Sequence, residues 1–254
     1  MNKEALRAKT YINQKVNSYK KFMCTEKMPP FELIINENEL IQENFTVFAS
    51  HNYSVKNDKH RLTVNKDIYE GKKEYILFHE LTHMYDVVNY SAKNNQLYFN
   101  NRGYTEYHAG QVEFLKLLDA NTVDEKISFS LSKSITTVIG VTTILEYVLS
   151  CRNGAKQLIS QVDFPNNLNS FSTGIGMIFN HLGRVSICQL YANDYENFKG
   201  ELEDLNFEKS FLGAEFEDII KIANGLLDKE NIEVFGDLFS QMVIKLYKKY
   251  ENNF

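Results

Sequence analysis

Apolar residues recur at a loose helical period between charged ones through residues 2–23 and predict an N-terminal helix. Pro29-Pro30 ends that pattern, and FELIIN (Phe31–Asn36) begins an extended one. FTVFAS (Phe45–Ser50) and RLTV (Arg61–Val64) are runs of β-branched and aromatic residues, which pack well on a pleated surface. KNDK (Lys56–Lys59) supplies turn chemistry between two strand-like runs. Together these segments predict a small antiparallel sheet that ends near Asn65.

Beyond the sheet the pattern becomes helical. Asp67 is placed to cap a helix, and from about Lys72 to Asn89 nothing breaks one. Apolar residues lie on nearly every side of this segment, including Tyr75, Leu77, Phe78, Leu81, Met84 and Val88, which predicts a buried helix. NNRG (Asn100–Gly103) reads as a loop, and Thr105–Leu118 as a second helix. After Asp119 a polar linker leads to four more helices, at Ser134–Cys151, Thr173–Tyr191, Glu215–Leu227 and Val234–Tyr250. The expected architecture is α+β. Residues 1–120 form a lobe with the small sheet and the buried helix, and residues 121–254 form a helical lobe packed against it.

Composition narrows the function classes. The chain is 43% hydrophobic and 13% aromatic, ample for a packed core. Its net charge is −5 and it has no dense Lys/Arg block, so no nucleic-acid partner is expected. Cys24, Cys151 and Cys188 are too scattered for a disulfide framework or a Cys-x-x-Cys metal knuckle. The polar start MNKEALRAKTYINQK has no signal-peptide core. Within the most apolar run, Ser134 to Leu145 is uncharged but too short to span a bilayer. A cytoplasmic protein with no membrane partner is expected; nothing in the sequence assigns an oligomeric state.

Chemistry concentrates in FHELTHMYD, Phe78 to Asp86. His79 and His83 stand at i and i+4, one turn apart on one helical face, and two imidazoles so placed can hold one Zn²⁺. Glu80 points about a quarter-turn aside, where it can take a proton from water activated by the metal. With 6 His in the chain, shuffling yields this His-Glu-x-x-His pattern only roughly 0.01 times per chain. A carboxylate inside a buried helix is also costly unless something compensates it, and a metal site does so.

A catalytic zinc needs a third protein ligand. The pattern HExxHxxGxxH is excluded, because Asp86 and Asn89 stand where its glycine and third histidine would be. The next helix offers YTEYHAGQVEF, in which Glu106 and Glu113 share one face with Ala109-Gly110 between them. Glu106 is favoured as the third ligand. The long segment from Tyr90 to Gly103 can return the chain to mid-helix before it, and the small residues that follow allow a close approach to the first helix. Glu113 is then a group behind the ligands or an alternative ligand.

A sheet, an HExxH helix and a glutamate-bearing helix together resemble a zincin metallopeptidase of the gluzincin type, over roughly Phe31 to Leu118. Glu106-Tyr-His-Ala109 is also similar to the ExxA element of the ImmA/IrrE-like peptidases. The thermolysin-like ExxxD pattern is broken by Gly110. The resemblance implies a Zn²⁺-dependent endopeptidase acting on peptide or protein substrates, with Glu80 as general base. The alternative is a zinc-binding regulator of the same fold that recognises peptides without cleaving them.

Other residues receive subsidiary roles. Asp86 follows His83 by three residues and either orients a ligand imidazole or stays a surface carboxylate. Tyr104, Tyr107 and His181 are candidates to stabilise the developing oxyanion. His108 points off the Glu106 face, and His51 and His60 read as isolated histidines without a site role. RLTV, just before the active-site helix, is the expected sheet edge for an extended peptide.

Overall fold

The computed structural model describes residues 3–36, 40–42, 45–66, 68–70, 73–138 and 140–253. Helix α1 (Lys3–Phe22) buries Ala8, Ile12, Tyr19 and Phe22 along one side. Lys20 and Lys21 lie in its last turn, where cations suit the helix dipole. The chain leaves the helix through Cys24, at φ 49°. Strands β1 (Phe31–Asn36), β2 (Leu40–Gln42), β3 (Phe45–Val47), β4 (Ala49–Ser54) and β5 (Lys59–Asn65) follow.

The sheet is mixed, in the order β1-β5-β4, and this corrects the expected antiparallel one. β4 and β5 form an antiparallel hairpin that closes at Ser54 opposite Lys59, with Asp58 at φ 51° in its turn. β1 instead runs parallel to β5, with Phe31 opposite His60 and Asn36 opposite Asn65. Alternation along a strand reports which side is buried, not which way its neighbour runs. RLTV therefore belongs to the central strand, and β1 and β4 are the outer ones. The predicted strand Phe45–Ser50 is broken at Phe48 and shared between β3 and β4.

Helix α2 (Glu74–Asp86) carries the histidines and continues through a π-helical turn, Val87–Ser91. No residue of α2 is fully exposed, as its all-round apolarity predicts. Asp67, the expected cap, lies outside the described residues. Phe78 meets the rings of Tyr19 and Phe22 edge-on, with centroids 5.3 and 5.4 Å away, and Tyr19 Oη donates to Thr82 Oγ1 at 3.1 Å. One side of α2 is thereby locked to α1, and another packs on β4.

The loop expected at Asn100–Gly103 shrinks to Asn101, between α3 (Asn95–Asn100) and α4 (Arg102–Leu117). The apolar run Ser134–Cys151 is likewise not one helix. It forms the hairpin β6 (Ser134–Thr137) and β7 (Gly140–Thr143), then enters α5 (Ile144–Ile159). Thr143 and Glu146 form a capping box that starts α5, so the helix begins inside the apolar run and not at Ser134. The remaining helices are α6 (Leu168–Tyr191), α7 (Tyr195–Leu202), α8 (Asn206–Leu212), α9 (Ala214–Ile222) and α10 (Lys229–Tyr250). Asn167 caps α6 and Asp228 caps α10, which lengthens both beyond the apolar periodicity. The short helices α7 and α8 escaped the sequence pattern.

Two compact units result, and their division is not a single cut at residue 120. One comprises Met1–Tyr98, Val112–Ile127 and Thr136–Gly140; the other comprises Phe99–Gln111, Ser128–Ile135 and Val141–Phe254. The first holds the three-stranded sheet and α2, and the second is mainly helical. In the helical unit α5 packs on α6 and α9 on α10. Gly183 of α6 lies flush against α4: a Cβ there would come within 2.0 Å of the Tyr107 carbonyl oxygen. Among the described residues no helix is long and apolar enough to cross a membrane.

Candidate metal centre

One turn of α2 brings His79, Glu80 and His83 together, with one potential ligand atom from each within 4.8 Å of the others. The two imidazoles meet edge to face, centroids 4.8 Å apart at 80°. Among the described residues this is the group of three that can hold a metal ion.

Glu113 of α4 reaches this group. Its Oε2 lies 2.8 Å from Nδ1 of His79, and both side chains are largely buried. A carboxylate that accepts from Nδ1 fixes the imidazole tautomer and leaves Nε2 as the ligating atom. Glu106 stands two turns earlier on α4, in the other unit. Its carboxylate accepts from Asn180 Nδ2 at 3.0 Å and faces Arg102 at 3.5 Å. The sequence favours Glu106 as third ligand, and the carboxylate that meets His79 is that of Glu113. Two observations bear on that preference: α3 occupies part of the segment Tyr90–Gly103, and Gly110 packs against Asn180 of α6, where a Cβ would meet the carbonyl oxygen at 2.6 Å. The small residues do mark a close helix contact, with α6.

Glu80 is held from the sheet. The backbone N–H of His51, on β4, donates to Glu80 Oε2 at 2.6 Å. The His51 ring lies nearly parallel to that of His83, centroids 6.4 Å apart, and its Nε2 is 3.0 Å from Nδ1 of His60. Tyr53 packs on His60 at 4.6 Å and is pinned by its hydroxyl, which donates to Asp58 at 2.9 Å and accepts from the Lys93 N–H at 3.1 Å. Burial pushes the His60 pKa below its ordinary value. Four of the six histidines, His51, His60, His79 and His83, thus meet in one unit. The isolated status expected for His51 and His60 is overturned. A signal for them was present: His60, Leu62 and Val64 alternate with Arg61 and Thr63, and opposite them stand Tyr53, His51 and Ala49.

Asp86 is buried, which removes the surface-carboxylate alternative. The three oxyanion candidates all lie in the helical unit and are all buried. Tyr107 donates to the Gly225 carbonyl at 2.7 Å, and burial pushes its pKa upward. Nδ1 of His181 lies 3.1 Å from the Val148 carbonyl, and desolvation pushes its pKa down to about 3. Tyr104 stacks on His108, also buried, at 5.6 Å. All three side chains are enclosed within the helical unit. The chain matches no protein-family model, no curated protein and no solved structure.

Proposed function

We propose that this protein is a zinc-dependent peptidase with His79 and His83 as metal ligands, Glu113 as the carboxylate of the metal site, and Glu80 as general base. The observation that carries the proposal is the convergence of His79, Glu80 and His83 within 4.8 Å, with Glu80 tethered to the sheet through His51. Two imidazoles from one helical turn suit zinc, and the Glu113 carboxylate behind His79 would orient one of them. Zinc bound there lowers the pKa of a water molecule and polarises a carbonyl group.

The protein groups supply the remainder. Glu80 takes a proton as water adds to the scissile carbonyl carbon, and returns it to the amine as the C–N bond breaks. The His51 imidazole, ordered by His60, is the group we assign to donate to the carbonyl oxygen as charge develops on it. β4 has β5 on one side and an edge on the other, which suits an extended peptide added as a further strand.

Zinc content and turnover together test this reading. Purified chain loaded with zinc should carry about one ion per chain, and the double variant His79→Ala, His83→Ala should carry none. Glu80→Gln should retain zinc and lose roughly 10²–10⁴-fold in hydrolysis of a peptide library. A protein that takes up no zinc refutes the proposal. One that binds zinc but shows no Glu80-dependent cleavage is instead a zinc-binding regulator.

A further inference from the structure

The helical unit contains a cavity of about 360 Å³, a volume typical of small-ligand sites, and every residue that lines it belongs to that unit. Its walls are mainly apolar, with Leu168, Ile175 and Phe179 from α6 and Phe239, Val243 and Tyr247 from α10. Ring contacts fix how these two helices run. Phe179 meets Phe239 at 5.3 Å and Phe171 meets Tyr250 at 6.4 Å, so α6 and α10 lie antiparallel along the cavity. Glu106 and Arg102 also line it, and both are already engaged: Glu106 accepts from Asn180 at 3.0 Å and faces Arg102 at 3.5 Å. A ligand has no need to pair with either charge.

Burial changes in one direction along both helices. Phe179 and Phe239 are 0% and 4% exposed, whereas Tyr247 and Leu168 are 43% and 56% exposed. The cavity therefore has a closed apolar floor at Phe179 and Phe239 and a mouth at Leu168 and Tyr247. From Phe239 to Tyr247 the α10 wall runs roughly 12 Å. A volume of 360 Å³ over that length leaves a cross-section of roughly 30 Å². That admits one polymethylene chain and not two. A protein helix does not fit, since a single turn with its side chains occupies roughly 400 Å³.

We propose that this cavity binds the unbranched alkyl chain of a single-chain amphiphile, with the chain end on Phe179 and Phe239 and the polar head in water beside Leu168 and Tyr247. The driving force is transfer of methylene groups from water to an apolar wall. Cavities with such walls take up apolar molecules at less than half this volume, roughly 150 Å³. A two-chain lipid exceeds the cross-section, and a compact ring leaves the length unfilled. The cavity and the metal centre are built from different residues, so neither result decides the other.

Calorimetric titration of the full chain with hexanoate, octanoate, decanoate and dodecanoate tests the assignment. Affinity should rise roughly four-fold per methylene and level off between decanoate and dodecanoate, once the chain spans the roughly 12 Å from mouth to floor. The branched isomer of octanoate, dipropylacetate, should bind roughly ten-fold or more weakly than octanoate itself. Val243→Trp, which fills the middle of the cavity, should abolish decanoate binding in a chain whose urea midpoint shows it folded. Leu168→Asp alters only the exposed mouth and should weaken decanoate roughly five-fold or more. Affinity that does not rise with chain length, equal binding of the two isomers, decanoate binding unchanged in either folded variant, or no decanoate binding at millimolar concentration would each overturn the proposal.

Discussion

The backbone N–H of His51 meets the carboxylate of Glu80 at 2.6 Å, so a sheet edge and the helix of the candidate metal centre are joined by one hydrogen bond. The same residue sets its ring beside His83 and against His60. His51 therefore serves the site twice, through a main-chain donor that any residue but proline provides and through an imidazole that few residues can replace. His51→Ala deletes the ring and keeps the N–H. It should leave zinc content unchanged and lower kcat by roughly 10²–10³-fold with little change in KM, as for loss of an oxyanion donor. An unaltered kcat would remove the imidazole from the chemistry and leave the backbone bond as the residue's contribution.

Glu113 and Glu106 separate under metal titration. Glu113 holds Nδ1 of His79 at 2.8 Å, and loss of such a partner typically weakens metal binding roughly 10–100-fold. Glu113→Ala should show that loss against a competing chelator, and Glu106→Ala should retain wild-type affinity. The reverse order would return Glu106 to the metal.

The HExxH helix was legible because everything it needs is local: no breaker, apolar residues on all sides, and the donors within one turn. What failed depends on partners distant in sequence. Ala109 and Gly110 announce a close contact, but only the fold shows that Gly110 meets Asn180 of α6. Unbroken apolarity in Ser134–Cys151 masked a hairpin, although Thr143-x-x-Glu146 is a helix-start signature that could have divided it. His51 and His60 carry no local signal of a site, because a histidine two strand positions from a buried Leu62 is significant only once the strand pairing is known.

The Thr143 cap offers a stability test away from the site. Its hydroxyl accepts from the Glu146 N–H at 3.2 Å, and Glu146 Oε2 accepts from the Thr143 N–H at 2.8 Å. Thr143→Ala should cost about 0.5–2 kcal/mol, read as a lower urea midpoint. Thr142→Ala, which removes only a hydroxyl bond to the Glu146 side chain, should cost less. Equal losses would show that the reciprocal cap does not hold the start of α5.

His181 sets a pH dependence for folding. It is fully buried beside the Val148 carbonyl, and desolvation, aided by Arg152 and Arg184, lowers its pKa from 6.5 to about 3. Above pH 6.5 the ring is neutral in the folded and unfolded chain alike and contributes no slope. As pH falls from there towards 3, the unfolded chain binds a proton that the folded chain refuses. Folding stability then drops by about 1.4 kcal/mol per pH unit from this residue alone. His181→Gln does not titrate and keeps a donor for Val148. Between pH 6.5 and 4.5 the wild type should lose about 2–3 kcal/mol more than the variant, measured by urea unfolding at each pH. Parallel losses in the two proteins would mean that His181 accepts its proton without unfolding.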